Sequence, residues 1–300
     1  MTWLKNKISF RWKQPTKFAN LVDLALIWLV RGIAAIAGTI VLLIVIFLII
    51  EALPGLENVG ILPFLSDSSW NPQQGFYNLM PMISGTLLVT AISVLLATPL
   101  GIFSAVFCQF YAPRNLSLFY LRLIELLAGI PSVVYGFWGL VVLVPFINRL
   151  HPPGTSLLAG IIILTIMILP TIALIAAASL AQVPSEYLLG AASLGISKWG
   201  MISGLVFPAA KSGLLTAIIL GVGRAIGETM AVLMVCGNVV QTPESIFDPM
   251  RTLTANIALE MAYALGNHRS ALFVSGLILI LAIAVLVIAA EIFSQQHIYN

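Results

Sequence analysis

The chain has 300 residues, 60% of them hydrophobic and only 8% charged, with a formal net charge of +3 at pH 7. Soluble domains carry about 25% charged residues, so this composition excludes a soluble globular protein and points to an all-α polytopic membrane protein. The small net charge gives no basis for nucleic-acid binding, and Cys108 and Cys236 both fall in apolar runs, where they build no disulfide framework.

Apolar runs of bilayer-crossing length place six transmembrane helices near 30–52, 82–108, 119–146, 156–181, 209–236 and 271–292. A basic N-terminal segment, 1–29, therefore precedes a membrane domain, 30–300. Lys5, Lys7, Arg11, Lys13, Lys17 and Arg31 stand before or at the first span against Asp23 alone. The positive-inside rule puts that end in the cytoplasm. The first apolar run, Ile33–Ile50, has no small-residue cleavage site and continues into Glu51-Ala52-Leu53-Pro54, so it is expected to stay as a membrane helix.

The loop 53–81 carries Glu57 and Asp67 and neither Lys nor Arg, which makes it external. Its Trp70-Asn71-Pro72 and Tyr77 are expected to be interfacial aromatic anchors, or else contacts for an external partner. Arg114 and Arg122 flank an internal turn, and Glu125 lies near that interface as a surface charge. In the third span Pro131 removes a backbone donor and should kink or break the helix. Such breaks are tolerated in membranes where protein or a water-filled cavity satisfies the freed groups. Ser132 and Tyr135 would then offer hydroxyls beside a pathway, the alternative being a simple packing kink.

The 147–155 loop, with Arg149 and His151, reads as external, whereas Lys198 and Lys211 mark the 182–208 loop as cytoplasmic. Pro184-Ser185 is a helix start in which Ser185 can cap, Gly195 is a stop, and Ser197 can cap a second short helix leading to Pro208. Glu186, Tyr187, Leu188, Leu189, Gly190, Ala191 and Ala192 then form a short helix exposing apolar side chains. Such a surface on a loop reads as a docking site, with an amphipathic helix lying on the membrane as the alternative.

Deep in the fifth span stands Gly221-Val222-Gly223-Arg224-Ala225-Ile226-Gly227-Glu228-Thr229-Met230. An arginine or carboxylate at a membrane centre costs roughly 2.5–3.5 kcal/mol on insertion scales. It persists where it pairs, faces a protein interior, or lines a pathway for something charged. Arg224 and Glu228 are four apart, so on one helix they share a face and can pair. Gly223 and Gly227 have small-xxx-small spacing, with Gly221 close by, and would let another helix approach. A structural ion pair is one reading; an Arg224 that meets an anion crossing the membrane is the other. The mixed-charge loop 237–270 is external and holds a short capped helix within Arg251–Glu260, and the C-terminus returns inside. His151, His268 and His297 lie in loops or the tail, so no metal, cofactor or hydrolytic site is expected.

At these residues the chain resembles the membrane subunits of binding-protein-dependent ABC importers, whose cytoplasmic signature has the form Glu-Ala-Ala-x3-Gly-x9-Ile-x-Leu-Pro. Anchored on Gly195 and Pro208, this chain reads Leu189-Gly190-Ala191, then Gly195, then Leu205-Val206-Phe207-Pro208, with Leu189 in the place of the glutamate. Within that family the stretch Arg224–Val232, Gly237-Asn238, Ile130–Gly136, Trp70-Asn71-Pro72 and Thr252–Glu260 resemble the phosphate-specific branch, in its first permease type rather than the paralogous second.

The resemblance implies a type I importer permease fold in which 182–208 is a coupling loop and the chain is a transport subunit, not an enzyme. It implies as partners a second permease subunit, a dimer of ATP-binding subunits and an extracytoplasmic phosphate-binding protein, besides membrane lipid. Arg224, Glu228, Thr229, Ser132 and Tyr135 would line the translocation pathway, and Glu186–Ala192 with Gly195 would couple to the ATPase. A secondary transporter would show inverted repeats and more spans. A membrane-embedded enzyme would need intramembrane His, Cys or paired carboxylates. The chain shows neither inverted repeats nor an intramembrane histidine or carboxylate pair beside its two cysteines.

Overall fold

The computed structural model describes residues 17–295, with side chains described over 24–288. Lys5, Lys7, Arg11, Lys13 and His297 lie outside the described residues, as do the side chains of Lys17 and Asp23. The chain divides into two compact units, Met1–Ile50 and Glu51–Asn300. The described part of the first is most of α1, Lys17–Val59. From Leu24 to Ile50 its side chains are exposed or half-exposed although the stretch is strongly apolar. A helix apolar on every side satisfies its own backbone and needs hydrocarbon or protein around its side chains, which is the membrane condition.

In the second unit the end of α1 leads to α2, Pro63–Ser66, and to a two-residue hairpin in which β1, Trp70–Asn71, pairs antiparallel with β2, Phe76–Tyr77. Gly75 closes its turn at φ +82°, a left-handed conformation that favours glycine. The hairpin sits over α3, Met80–Val106, which a π turn extends to Tyr111. Trp70 and Tyr77 are 9% and 6% exposed, opposite each other across the strands with ring centroids 6.1 Å apart. They are packed core residues, not interfacial anchors, because the hairpin folds them inward onto Phe64, Leu79, Leu253 and Leu272. Burial pushes the Tyr77 phenol above its ordinary pKa.

The third crossing differs from the sequence expectation. Arg114–Ala128 is a separate amphipathic helix, α4, that ends at Gly129-Ile130-Pro131, and the crossing helix runs Ser132–Leu150. It comprises α5, Ser132–Trp138, a π turn and α6, Val144–Leu150. The proline break separates the two as expected, but it places the span later, because α4 is too polar on one face to be buried in lipid.

Next comes α7, Leu157–Ala181, started by Ser156, whose hydroxyl accepts the Ala159 amide at 3.3 Å. Of the crossing helices α7 is the most enclosed, with 61% of its apolar window buried against 33% or less in the other single-helix spans. Its Ile172 shows how that enclosure is built. A Cβ at Gly101 of α3 would come within 2.8 Å of this side chain, and a Cβ at Gly221 would come within 2.9 Å. Two glycines thus let two neighbouring backbones close on one isoleucine, whose full burial is worth about 1.5–3 kcal/mol.

After α7 the chain makes α8, Ser185–Ser193, then α9, Lys198–Met201, a π turn, and α10, Phe207–Ala209. There it bends by 74° into α11, Lys211–Ile226. At about 1.5 Å per residue, the 16 residues of α11 fall short of a bilayer core about 30 Å thick. After the 227–229 break the chain continues as α12, Met230–Val235. α13, Leu253–Glu260, and α14, Asn267–Gln295, finish the fold. Among the described residues, five helices are long and apolar enough to cross a membrane, and six if the bent pair Lys198–Ala209 with Lys211–Ile226 counts as one.

Candidate functional site

The fifth crossing is interrupted where its charges lie. α11 ends at Ile226, and the Gly227 and Glu228 amides turn back onto the Gly223 and Ala225 carbonyls at 3.3 Å. The Glu228 carboxylate then accepts the Ala231 amide at 3.1 Å and so caps the start of α12. Arg224 goes elsewhere: its Nη1 donates to Thr171 Oγ1 of α7 at 2.9 Å. Ion pairs among the described residues join Arg251 to Glu260, His268 to Glu260 and Arg269 to Glu51, and Arg224–Glu228 is not one of them. The expected pairing required one continuous helix through Glu228; the break turns that carboxylate into a cap and leaves the half-buried guanidinium with a neutral partner. Of the three glycines, Gly221 makes the close helix contact, a Cβ at Gly223 would meet open space, and Gly227 ends the helix.

A second interrupted helix meets the first. Tyr135 of α5, 7% exposed, donates its hydroxyl to the Leu127 carbonyl at 2.8 Å, bridging the Gly129–Pro131 break. Gly136 lies against the Ala231 backbone, where a Cβ would come within 2.8 Å. α5 and α12 therefore pack directly. Ser132 is half-exposed in the first turn of α5, and Thr229 Oγ1 donates to the Gly227 carbonyl at 3.2 Å. The helices that follow the two breaks, which come from distant stretches of the sequence, thus pack on each other.

On another face of the molecule α8 exposes Glu186, Tyr187, Leu189, Gly190 and Ala192, while Ala191 is buried and Leu188 packs on the core. Leu189 is 69% exposed and Leu194, just beyond the helix, 79%. Ser185 does not cap; Pro184 holds the cap position and Ser185 is already helical. Gly195 stops the helix at φ +70°, and the Ser197 hydroxyl accepts the Gly200 amide at 3.1 Å to start α9. A 480 Å³ cavity opens elsewhere, lined by Trp70, Gln73, Arg251, Tyr263 and His268 among others.

Residues 97–297 match the family described as the binding-protein-dependent transport system inner membrane component. The chain belongs to this family. It is 46% identical over 226 residues to a probable ABC transporter permease protein, YqgH, of Bacillus subtilis, covering 73% of each chain. It is 39% identical over 238 residues to the phosphate transport system permease protein PstC of Mesorhizobium japonicum, covering 72% of this chain and 73% of that one. Among solved structures, a bacterial ABC transporter involved in import of the acidic polysaccharide alginate superposes with a TM-score of 0.65 over 92% of this chain and 98% of that one, at 13% identity. The MetNI methionine ABC transporter in an inward-facing form gives a TM-score of 0.56 over 73% and 97%, at 17% identity. These two likenesses establish the permease fold.

Sequence reasoning missed the contacts that hold the broken span of this permease. Thr254 of α13 donates to the Glu228 carbonyl at 2.8 Å, and Thr86 of α3 accepts the Leu253 amide at 3.0 Å. At the other end of α13 the Glu260 carboxylate accepts from Arg251 Nη1 at 2.6 Å and Trp70 Nε1 at 3.0 Å, with His268 Nε2 at 2.8 Å. The signal available for Thr171 was a hydroxyl directly after Pro170 in a run otherwise apolar but for Thr165 and Ser179.

Proposed function

We propose that this chain is a permease subunit of the PstC type in an ATP-driven importer of inorganic phosphate, forming half of a translocation pathway with a PstA-like second permease. The observation that carries the reading is Arg224: a guanidinium in a membrane helix whose hydrogen-bond partner is a neutral hydroxyl. With its charge not cancelled, it lowers the barrier for an oxyanion. The two helix breaks, whose following helices pack together, are the kind of irregular backbone that membranes tolerate beside a cavity. Ser132, Tyr135 and Thr229 add hydroxyls there. Glu228 commits one oxygen to the Ala231 amide, and its second oxygen accepts the proton that hydrogen phosphate carries. That preference rests on the cost of unpaired buried polar groups, which reject analogues lacking the matching atom.

In this reading both termini face the cytoplasm of a bacterium and the protein sits in its plasma membrane. The exposed face of α8 docks on a PstB-like ATPase dimer, and the 53–81 and 237–270 loops face a PstS-like binding protein. ATP binding closes the ATPase dimer, which pushes on α8 and opens the permease pair outward to receive phosphate.

The test is phosphate uptake by cells carrying Arg224→Gln, with assembled complex quantified in parallel. Because Glu228 is not the ion-pair partner of Arg224, the change strands no carboxylate, and the complex is expected to assemble at normal levels and fail to transport. Arg224→Lys keeps the charge but loses the planar fork that grips an oxyanion with two bonds, so uptake falls there as well. Wild-type uptake by Arg224→Gln would make Arg224 a scaffold residue.

A further inference from the structure

We propose that Thr171 is a positioning residue for Arg224: it orients the guanidinium without neutralising it. This rests on the reading of Arg224 as the anion site. A membrane-embedded arginine needs a hydrogen-bonding partner, and a carboxylate would supply one at the cost of cancelling the charge that an anion is to meet. Thr171 supplies the hydrogen bond alone. Its Oγ1 accepts one N–H from Arg224 at 2.9 Å, and the other guanidinium donors, of five in all, stay available. Having accepted, the hydroxyl keeps its own proton to donate.

The position of that hydroxyl is set by close helix packing beside it. Thr171 is next to Ile172, on which Gly101 of α3 and Gly221 of α11 both close, so α7 and the helix carrying Arg224 are held in fixed register one residue from the hydrogen bond. A threonine side chain in a helix has two χ1 states at most, so once the two helices are locked the acceptor has little freedom. The carboxylate that could have taken its place, Glu228, is held at the start of α12 by the Ala231 amide. Neutral support at Thr171 and diversion of Glu228 are two halves of one arrangement that keeps Arg224 both fixed and charged.

The experiment uses the complete importer reconstituted in proteoliposomes, and reads phosphate uptake per assembled complex as a function of external phosphate. Thr171→Val keeps the shape and removes the hydroxyl. Losing a hydrogen bond to a charged group is expected to lower the maximal rate about tenfold. KM, set upstream by the extracytoplasmic binding protein, stays unchanged. Thr171→Ser restores the hydroxyl and is expected to return the rate to near wild type. Thr171→Glu offers a better acceptor but cancels the charge, and is expected to transport no faster than Thr171→Val.

A merely structural threonine would instead lower the amount of complex and leave the rate per complex untouched. If Thr171→Val reduces assembly, Thr171→Ala decides on the same per-complex rate. Wild-type rates per complex in the valine or the glutamate variant would overturn the inference. Arg224→Gln, measured beside them, separates the two levels: if it is inactive while Thr171→Val is normal, only the positioning role fails. If Arg224→Gln is normal as well, the anion site itself fails.

Discussion

Replacing Glu260 with alanine should loosen the whole external cap. This carboxylate is 8% exposed and is shared by Arg251 Nη1 at 2.6 Å, His268 Nε2 at 2.8 Å and Trp70 Nε1 at 3.0 Å. It therefore ties the β1–β2 hairpin, the loop before α13 and the start of α14 to the last residue of α13. Glu260→Ala leaves the Arg251 guanidinium, 17% exposed, without its counter-charge. Breaking a buried pair from one side costs about 3–5 kcal/mol. Arg251 keeps the Asn238 carbonyl and Asn256 Oδ1 as partners at 2.9 Å, so the lower end, about 3 kcal/mol, is expected.

Membrane complexes inactivate irreversibly, so the quantity to measure is a half-life at elevated temperature in detergent. If the cap opens before the rate-limiting step, about 3 kcal/mol shortens that half-life by roughly a hundredfold. The paired change Arg251→Met with Glu260→Leu strands no charge and should lose less than Glu260→Ala alone. Because Thr254 at the other end of α13 holds the Glu228 carbonyl, the alanine variant should also transport less per complex before it inactivates. A Glu260→Ala half-life within a factor of two of wild type would refute the view that this cluster holds the cap.

Leu189→Asp should leave the permease itself intact, since a substitution at a side chain 69% exposed rarely moves stability by more than about 0.5 kcal/mol. It would bury an unpaired charge against the ATPase, so co-purification of the ATPase and uptake are expected to fall together; normal co-purification with normal uptake would place α8 on lipid. Leu188 is the wrong probe, because it packs on the core of the permease. For orientation, Ser69→Cys should react with an impermeant maleimide from outside, and Leu194→Cys, at a site 79% exposed, only after permeabilisation. Cys108 and Cys236 are buried and should stay silent. External labelling of Leu194→Cys would reverse the topology.

The sequence by itself determined whatever depends on residues within a turn or two of each other. Apolar length located the crossings apart from the third, which starts only after the Pro131 break, Thr252 and Ser197 capped helices with their own hydroxyls, and Gly195 ended α8 in the left-handed conformation. The Leu189 to Gly195 stretch was legible as exposed apolar surface because a short helix on a loop needs nothing distant to be recognised. Only the tertiary structure decided the partners. Helical spacing alone pairs Arg224 with Glu228, but the backbone between them is not helical throughout, and the partner is Thr171, 53 residues away. Small-residue spacing marked three glycines, and which one packs depends on how α11 is rotated against Ile172. Trp70 is amphipathic and suits a membrane interface; it is buried because Glu260, 190 residues on, accepts its indole N–H. Local chemistry sets where a helix starts, stops and breaks, whereas the rotation of packed helices sets what a buried charge meets.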